Sequence, residues 1–432
     1  MTKLNRFSGM TALASILLAC APSLAHAQST GTINSGDTAW MLISSAMVLL
    51  MTPGLAFFYA GMVRSKNVVS TLTQNMVALA VVGVLWIVIG FSLAFSGDVS
   101  NLVGDTSAFM LAGVGTAPNG TATIPYNLFM VYQMMFAIIT PALMTGAFAE
   151  RIRFKAWLLI LVLWSLAVYS PVAHWLWSGG WLADRGAQDF AGGYVVHMTA
   201  GFSALVAALV FGKRSDFGIA GKPYDTGLVT LGTALLWFGW FGFNAGSAVA
   251  ANGLAAQAFV NTFAASATAM LAWMLVDSCK DGKPTLMGGC IGVVAGLVAI
   301  TPAAGFVTTS SALIIGVLAG VICNLVARFV KSRGIDDTLD VFACHGIGGL
   351  IGVLSVGVFG AASVSGVDGL LLGSSELLKT QAIAAVAVAV YSMVATFVII
   401  KVVGIFVPVR VSSSDEAVGL DTTQHGETIA HH

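Results

Sequence analysis

The chain has 432 residues, 57% of them hydrophobic, 9% charged and with no net charge, whereas a soluble domain draws about a quarter of its residues from the charged types. That excludes a soluble globular protein, and the neutral balance with no basic patch excludes nucleic acid as a partner. Glycine is abundant, at 49 residues, and proline sparse, at 10, which suits membrane helices whose backbones meet at small side chains rather than disorder.

In chain order, the first residues, MTKLNRFSGMTALASILLACAPSLAHAQS, combine a basic start, a short apolar core and the small-residue site Ala25-His26-Ala27. They predict a cleaved signal peptide over 1–27. The rival is a lipoprotein signal cut before Cys20, at Leu17-Leu18-Ala19-Cys20. Eleven apolar segments follow, near 40–63, 68–95, 126–148, 156–175, 190–211, 226–247, 256–276, 286–302, 312–330, 341–360 and 382–403, most of them about 18 to 25 residues, long enough to cross a bilayer as a helix. The chain therefore reads as an all-α membrane protein with a transmembrane domain over 38–408 and a tail over 409–432. Cys279, Cys290, Cys323 and Cys344 are scattered without metal-ligand spacing, and no metal or cofactor is expected.

Basic residues test the count. Arg64, Lys66, Arg151, Arg153, Lys155, Lys213, Arg214, Lys222, Lys280, Lys283, Arg328, Lys331 and Arg333 fall in alternate loops, and Lys401 and Arg410 border the tail on the same side. Arg185 and Lys379 fall on the other. By the positive-inside rule the N-terminus is periplasmic and the tail cytoplasmic, in the inner membrane.

His197 lies in DFAGGYVVHMTAG of the fifth segment and His345 in DVFACHGIGG of the tenth. Ionisable residues at membrane depth are costly and mark polar pathways. Being five segments apart, the two run in opposite directions, which suggests an inverted five-plus-five repeat with a site near the midplane where the halves meet. Asp189 and Asp340 precede them, roughly 12 Å and 7.5 Å away by helical rise, and as acidic residues at helix starts they are expected to cap free amides. The bland reading of each histidine is a packing residue bonded to a neighbouring helix. Their matched placement favours a pore, in which desolvated neutral rings each donate one hydrogen bond and accept another.

Aromatic residues form a second constellation. Trp240, Phe243 and Ser247 share one helical face, as do Tyr132 and Phe136. Core packing is the ordinary reading of such stripes; the sharper one is a site for a small cation, completed by Trp177 beyond the fourth segment. Attraction between a cation and rings reaches roughly 2 kcal/mol when desolvated, against tens of kcal/mol for a bare cation in an apolar core. Loss of a proton is the way across that these residues favour.

At these residues the chain resembles the ammonium transporter family of bacterial ammonia channels, fungal transporters and Rhesus-type proteins. The resemblance runs from Thr38 to Glu427 and is carried by DFAGG of Asp189 to Gly193 followed by His197, GWFGFNAGS of Gly239 to Ser247, AERIRF of Ala149 to Phe154, and His345 after Asp340. It implies the ammonium transporter fold, eleven helices per protomer in a homotrimer, each with its own pore. Trp177 and Ser247, with Tyr132 and Phe136, would recruit ammonium; Phe136 and Phe243 would form a gate; His197 and His345 would line the pore and relay protons; Phe58 and Tyr59 would border the path. The family commonly has phenylalanine where this chain has Tyr132. It also implies a cytoplasmic P-II signalling protein as partner of the tail, where VGLDTTQHGE spans Val418 to Glu427; the bland reading is a solvated tail. The functional expectation is an ammonium transporter that deprotonates its substrate and conducts ammonia. The alternative is an ammonium sensor with low flux. A membrane enzyme is the weakest reading, because no nucleophile, metal set or cofactor loop accompanies the histidines.

Overall fold

Every amide that a membrane helix carries must find its partner within the protein, and the chain meets that demand almost wholly with helices. The computed structural model describes residues 30–219 and 223–429. The expected signal peptide, Cys20, Lys222, His431 and His432 lie outside the described residues. Among the described residues there is no strand, only two isolated bridges, Val99 to Val103 and Ile152 to Arg410.

Among the described residues, ten helices are long and apolar enough to cross a membrane. We number them in chain order with one shorter helix: α1 (Ser35–Met62), α2 (Ser65–Phe95), α3 (Tyr126–Ala147), α4 (Phe154–Asp184), α5 (Gly193–Phe211), α6 (Thr226–Gly246), α7 (Gly253–Asp281), α8 (Leu286–Ile300), α9 (Thr309–Ser332), α10 (Phe342–Phe359) and α11 (Ser375–Phe406). All eleven expected segments reappear as helices, ten of them of spanning length. At 15 residues, α8 covers only about 22 Å. Side-chain oxygens supply the first amides of several: Asn34 caps α1, Asp225 caps α6, Asn252 caps α7 and Thr285 caps α8.

The helices are apolar on both sides. Leu42, Val84, Leu271, Val386 and Ile405 are exposed, as expected of side chains that a bilayer covers, whereas the interior is closed by large rings such as Trp157, Trp164 and Tyr194. Corresponding members of the two halves pack on one another, α1 along α6 and α5 against α10. The second pair crosses at Gly201, where any Cβ would run into the Gly346 backbone. That close approach brings the histidine turns together.

The predicted basic loops do gather at one end. Glu150, held at a left-handed φ of 70°, accepts hydrogen bonds from Arg64 Nε (2.9 Å) and Arg214 Nη1 (2.9 Å). Asp336 accepts from Arg214 Nε at 2.9 Å, and the fully buried Arg151 donates to Thr338 Oγ1 and the Asp336 carbonyl. The tail joins this end rather than standing free. Asp421 accepts the Val69 and Ser70 amides at the start of α2 (3.0 and 2.8 Å), and Leu420 is fully buried. Glu416 takes the Ser215 amide (2.7 Å) and Arg410 Nη2 (2.7 Å).

Burial alone would raise the Glu150 carboxyl, but the Arg64 and Arg214 guanidinium groups overcome it and hold it at about 2. A depressed carboxylate contributes stability above its unfolded value and loses it as pH falls through the folded one, here between about 4.5 and 2. The contribution is about 3 kcal/mol. Glu150→Gln is expected to lower the unfolding temperature of the detergent-purified protein at pH 7 and to flatten its dependence on pH in that window; an unchanged pH profile would refute the pairing.

Candidate functional site

Asp189 organises the approach to the first histidine. Its two carboxylate oxygens accept four backbone amides, from Gly192 (2.8 Å), Gly193 (2.6 Å), Tyr194 (2.8 Å) and Val195 (3.3 Å). Gly192 makes this convergence possible with a φ of 120°, which a side chain would resist. Burial raises the Asp189 carboxyl, and the four amides oppose the shift. The expected helix start is thus a capped turn, and the Asp189 carbonyl also accepts Trp177 Nε1 at 3.0 Å, fixing that ring.

The second half repeats the device with a different aspartate. Asp337, not Asp340, accepts the Phe342 amide (2.7 Å), and it precedes His345 by the same eight positions that separate Asp189 from His197. Asp340 instead takes a left-handed φ of 58°, and its carbonyl accepts the Cys344 amide. The sequence reading chose Asp340 because it is nearest the apolar run; equal spacing would have found Asp337. Burial, and then the neighbouring Asp340, pushes the Asp337 carboxyl above the usual carboxylate range.

Both histidines fall in π-helical turns, Gly193–Met198 and Phe342–Ile347, a local widening that sequence periodicity did not reveal and that is common at functional sites. Their rings meet Nδ1 to Nδ1 at 3.2 Å. Trp240 stacks on His197 with centroids 5.4 Å apart, held by its Nε1 donating to Thr301 Oγ1 at 2.8 Å. His197 Nε2 is buried without a protein partner. The two imidazoles line a cavity of about 10 Å³ whose other walls, Phe58, Trp240 and Phe243 among them, are apolar. Tyr59 lies beside Phe58, with its hydroxyl donated to the Leu143 carbonyl at 2.9 Å.

Above this cavity Phe136 and Phe243 pack against each other at a centroid distance of 4.1 Å, their planes tilted by 35°. Beyond them, at the end opposite the basic loops, opens a vestibule of about 190 Å³ lined by Phe136, Trp177, Ser247 and Gln133 among others. Trp177 stands edge-on to Phe136 at 6.0 Å. Ser247 Oγ donates to the Phe243 carbonyl (2.9 Å), which leaves one of its lone pairs beyond the Tyr132 contact. Tyr132 is fully buried behind these residues; its hydroxyl meets the Gly242 and Phe243 carbonyls and Ser247 Oγ (2.9, 2.8 and 3.2 Å). Its place is therefore that of a strut for Ser247. Sequence reasoning missed Thr301 and Gln133; the signal for Gln133 was an amide inside an apolar span. Among the described residues no cluster of His, Cys, Asp or Glu could hold a metal.

The description "Ammonium Transporter Family" belongs to the family model that matches residues 39–430. An ammonium transporter of Bacillus subtilis (strain 168) is 48% identical over 396 residues, 91% of this chain and 98% of that protein. Ammonium transporter Amt1 of Archaeoglobus fulgidus is 46% identical, over 91% of this chain and 99% of that protein. Among solved structures, Saccharomyces cerevisiae Mep2 superimposes with a TM-score of 0.84 at 37% identity, covering 89% of both chains, and a chain described as a sensor Amt protein with 0.85 at 29% identity, covering 90% of this chain and 98% of that one.

The assignment of the second cap is testable by stability. Asp337→Ala is expected to cost about 1–2 kcal/mol, as loss of a cap does, whereas Asp340→Asn, which keeps a residue tolerant of the left-handed region and removes a like charge, should change stability by less than about 0.5 kcal/mol. Chemical denaturation in detergent reads both, and the reverse order would return the cap to Asp340.

Proposed function

The chain belongs to the ammonium transporter family, and from that premise we propose that it recruits ammonium at the aromatic vestibule, deprotonates it at the gate and passes ammonia through the histidine-lined pore. The cavity between the histidines carries this reading. At about 10 Å³ it suits roughly one water-sized molecule, and its walls offer two imidazoles and otherwise apolar side chains. A bare cation there costs tens of kcal/mol by the Born argument, and no carboxylate or run of carbonyls lines the cavity to offset it. A neutral molecule of ammonia's size meets no such barrier.

The vestibule supplies what the pore lacks. Trp177 and Phe136 offer ring faces or edges and Ser247 a lone pair, so ammonium exchanges part of its water for them before it reaches the stacked Phe136 and Phe243. There one N–H bond breaks, the nitrogen keeps the electron pair, and ammonia moves on. The proton goes to His197 Nε2; His197 hands its Nδ1 proton to His345 Nδ1, and His345 releases the proton on its Nε2 toward the basic end. Net movement is then electrogenic although the pore carries no cation.

In this reading the basic loops face the cytoplasm and the vestibule the periplasm, as the positive-inside rule supports. The rest of the reading is a signal peptide over 1–27, a transmembrane domain over 38–408, a cytoplasmic tail over 409–432, a homotrimer in the inner membrane, and a P-II signalling protein as partner of the tail. The docked tail supports the last point, since Asp421 and Glu416 tie it to α2 and to the loop after α5. A sensor with little flux is the second reading, prompted by a solved neighbour described as a sensor Amt protein.

Proteoliposomes decide between them. The wild-type protein should give an ammonium-evoked current and accumulate ammonia, and replacing both His197 and His345 by leucine should abolish the current. An undiminished current in that variant would sink the proton relay, and absence of flux in the wild type would favour the sensor.

A further inference from the structure

One short sequence occurs twice, as Ile139-Thr140-Pro141-Ala142 on α3 and as Ile300-Thr301-Pro302-Ala303 at the end of α8. The two helices are five apart, as the two histidine-bearing helices are, and both copies carry the same local device. Proline has no N–H to offer the carbonyl four residues back. The threonine before it turns its own hydroxyl onto the chain, Thr140 Oγ1 donating to the Phe136 carbonyl (2.6 Å) and Thr301 Oγ1 to the Leu297 carbonyl (2.8 Å).

The second copy does more than the first. There the helix stops, at Ile300, and its end reaches three parts of the buried site. The Pro302 carbonyl accepts the Phe190 amide at 3.2 Å, one residue beyond Asp189. The Pro302 ring fills the space that a Cβ would need on Gly193, where the π-turn of His197 starts, and on Gly352 of α10. Thr301 Oγ1 accepts the Trp240 indole N–H at 2.8 Å.

An indole only donates, whereas a threonine hydroxyl has one hydrogen and two lone pairs. The Thr301 hydrogen is committed to the Leu297 carbonyl, so its oxygen meets Trp240 as an acceptor. Both residues are buried, away from bulk water that could replace the bond. The indole held in this way lies over the His197 ring, with centroids 5.4 Å apart and planes 21° apart. Turning that imidazole about its Cβ–Cγ bond would drive it into the indole.

Resting on the proton relay read above, we propose that Thr301 is a positioning residue of that relay: through Trp240 it holds the His197 imidazole in the orientation that puts Nδ1 on His345. It acts through the indole and not on the transported molecule. Thr301→Val keeps the shape and removes the acceptor, and a buried indole N–H left without one is costly enough to move the ring.

The test uses ammonium-evoked currents in proteoliposomes holding the full chain. Thr301→Val should lower the maximal current about tenfold, since small misplacements of reacting groups are expensive, and leave the half-saturating concentration, set in the vestibule, unchanged. Thr301→Ser keeps the acceptor and should restore the current. Trp240→Phe already lacks the N–H, so adding Thr301→Val to it should lower the current no further. Magnetic resonance of isotope-labelled histidine nitrogens gives a readout independent of flux: the ring signals of the pair should change in Thr301→Val and return in Thr301→Ser. Thr301→Ala takes the place of the valine variant if that one fails to fold. An undiminished current or unchanged ring signals in the valine variant overturn the proposal, as do a serine variant equally impaired and additive losses in the double variant. Wild-type protein without an ammonium-evoked current would instead overturn the relay reading, while the ring signals would still decide whether Thr301 sets the imidazole.

Discussion

The contact of His197 Nδ1 with His345 Nδ1 at 3.2 Å is the interaction around which the rest of the buried site is arranged. Two uncharged rings can hold this distance only if one donates and the other accepts, so the pair acts as a single unit with one shared hydrogen. Everything around it serves to keep that unit dry and in register. Gly201 and Gly346 let α5 and α10 approach closely enough, the π-turns turn both rings toward each other, and Trp240, anchored on Thr301, covers one face.

Putting two imidazoles at membrane depth raises the problem of the free amides around them, and the two aspartates answer it outside the spans. Asp189 gathers four amides and Asp337 one, so the turns that carry the histidines start from satisfied ends. The same Asp189 loop fixes Trp177 through its carbonyl. The vestibule and the histidine cavity are therefore positioned by one short stretch of chain. At the opposite end, paired charges join the loops after α1, α3, α5 and α9, and the tail closes over them. The loops at this end and the tail are thus tied into one network of hydrogen bonds.

Much of this was legible in the sequence, for reasons that can be named. Long apolar segments have one solution in a bilayer, so the helices, their order and the common side of the basic loops followed from hydropathy and charge. The matched histidines followed from their positions in opposed segments. Other particulars escaped. Asp340 stands nearer His345, yet the amide cap falls to Asp337, at the spacing that separates Asp189 from His197; periodicity does not distinguish an α-turn from a π-turn; and a helical stripe does not say that the Tyr132 hydroxyl is spent on backbone carbonyls while Ser247 keeps a free lone pair.

The sequence by itself determined the class of protein, the helices and the residue types available for a cation mouth and an apolar pore, because those depend on local composition and on a solvent that forbids alternatives. Only the tertiary structure decided which atoms meet: the ring contact of His197 with His345, the four amides on Asp189, the cap on Asp337, the strut of Tyr132 and the unpartnered oxygen of Gln133. Apart from that oxygen, each of these joins turns, helices or loops through hydrogen bonds or packing. Such bonds depend on tenths of an ångström between backbones, set by where glycines allow close approach, and no one-dimensional pattern carries that distance.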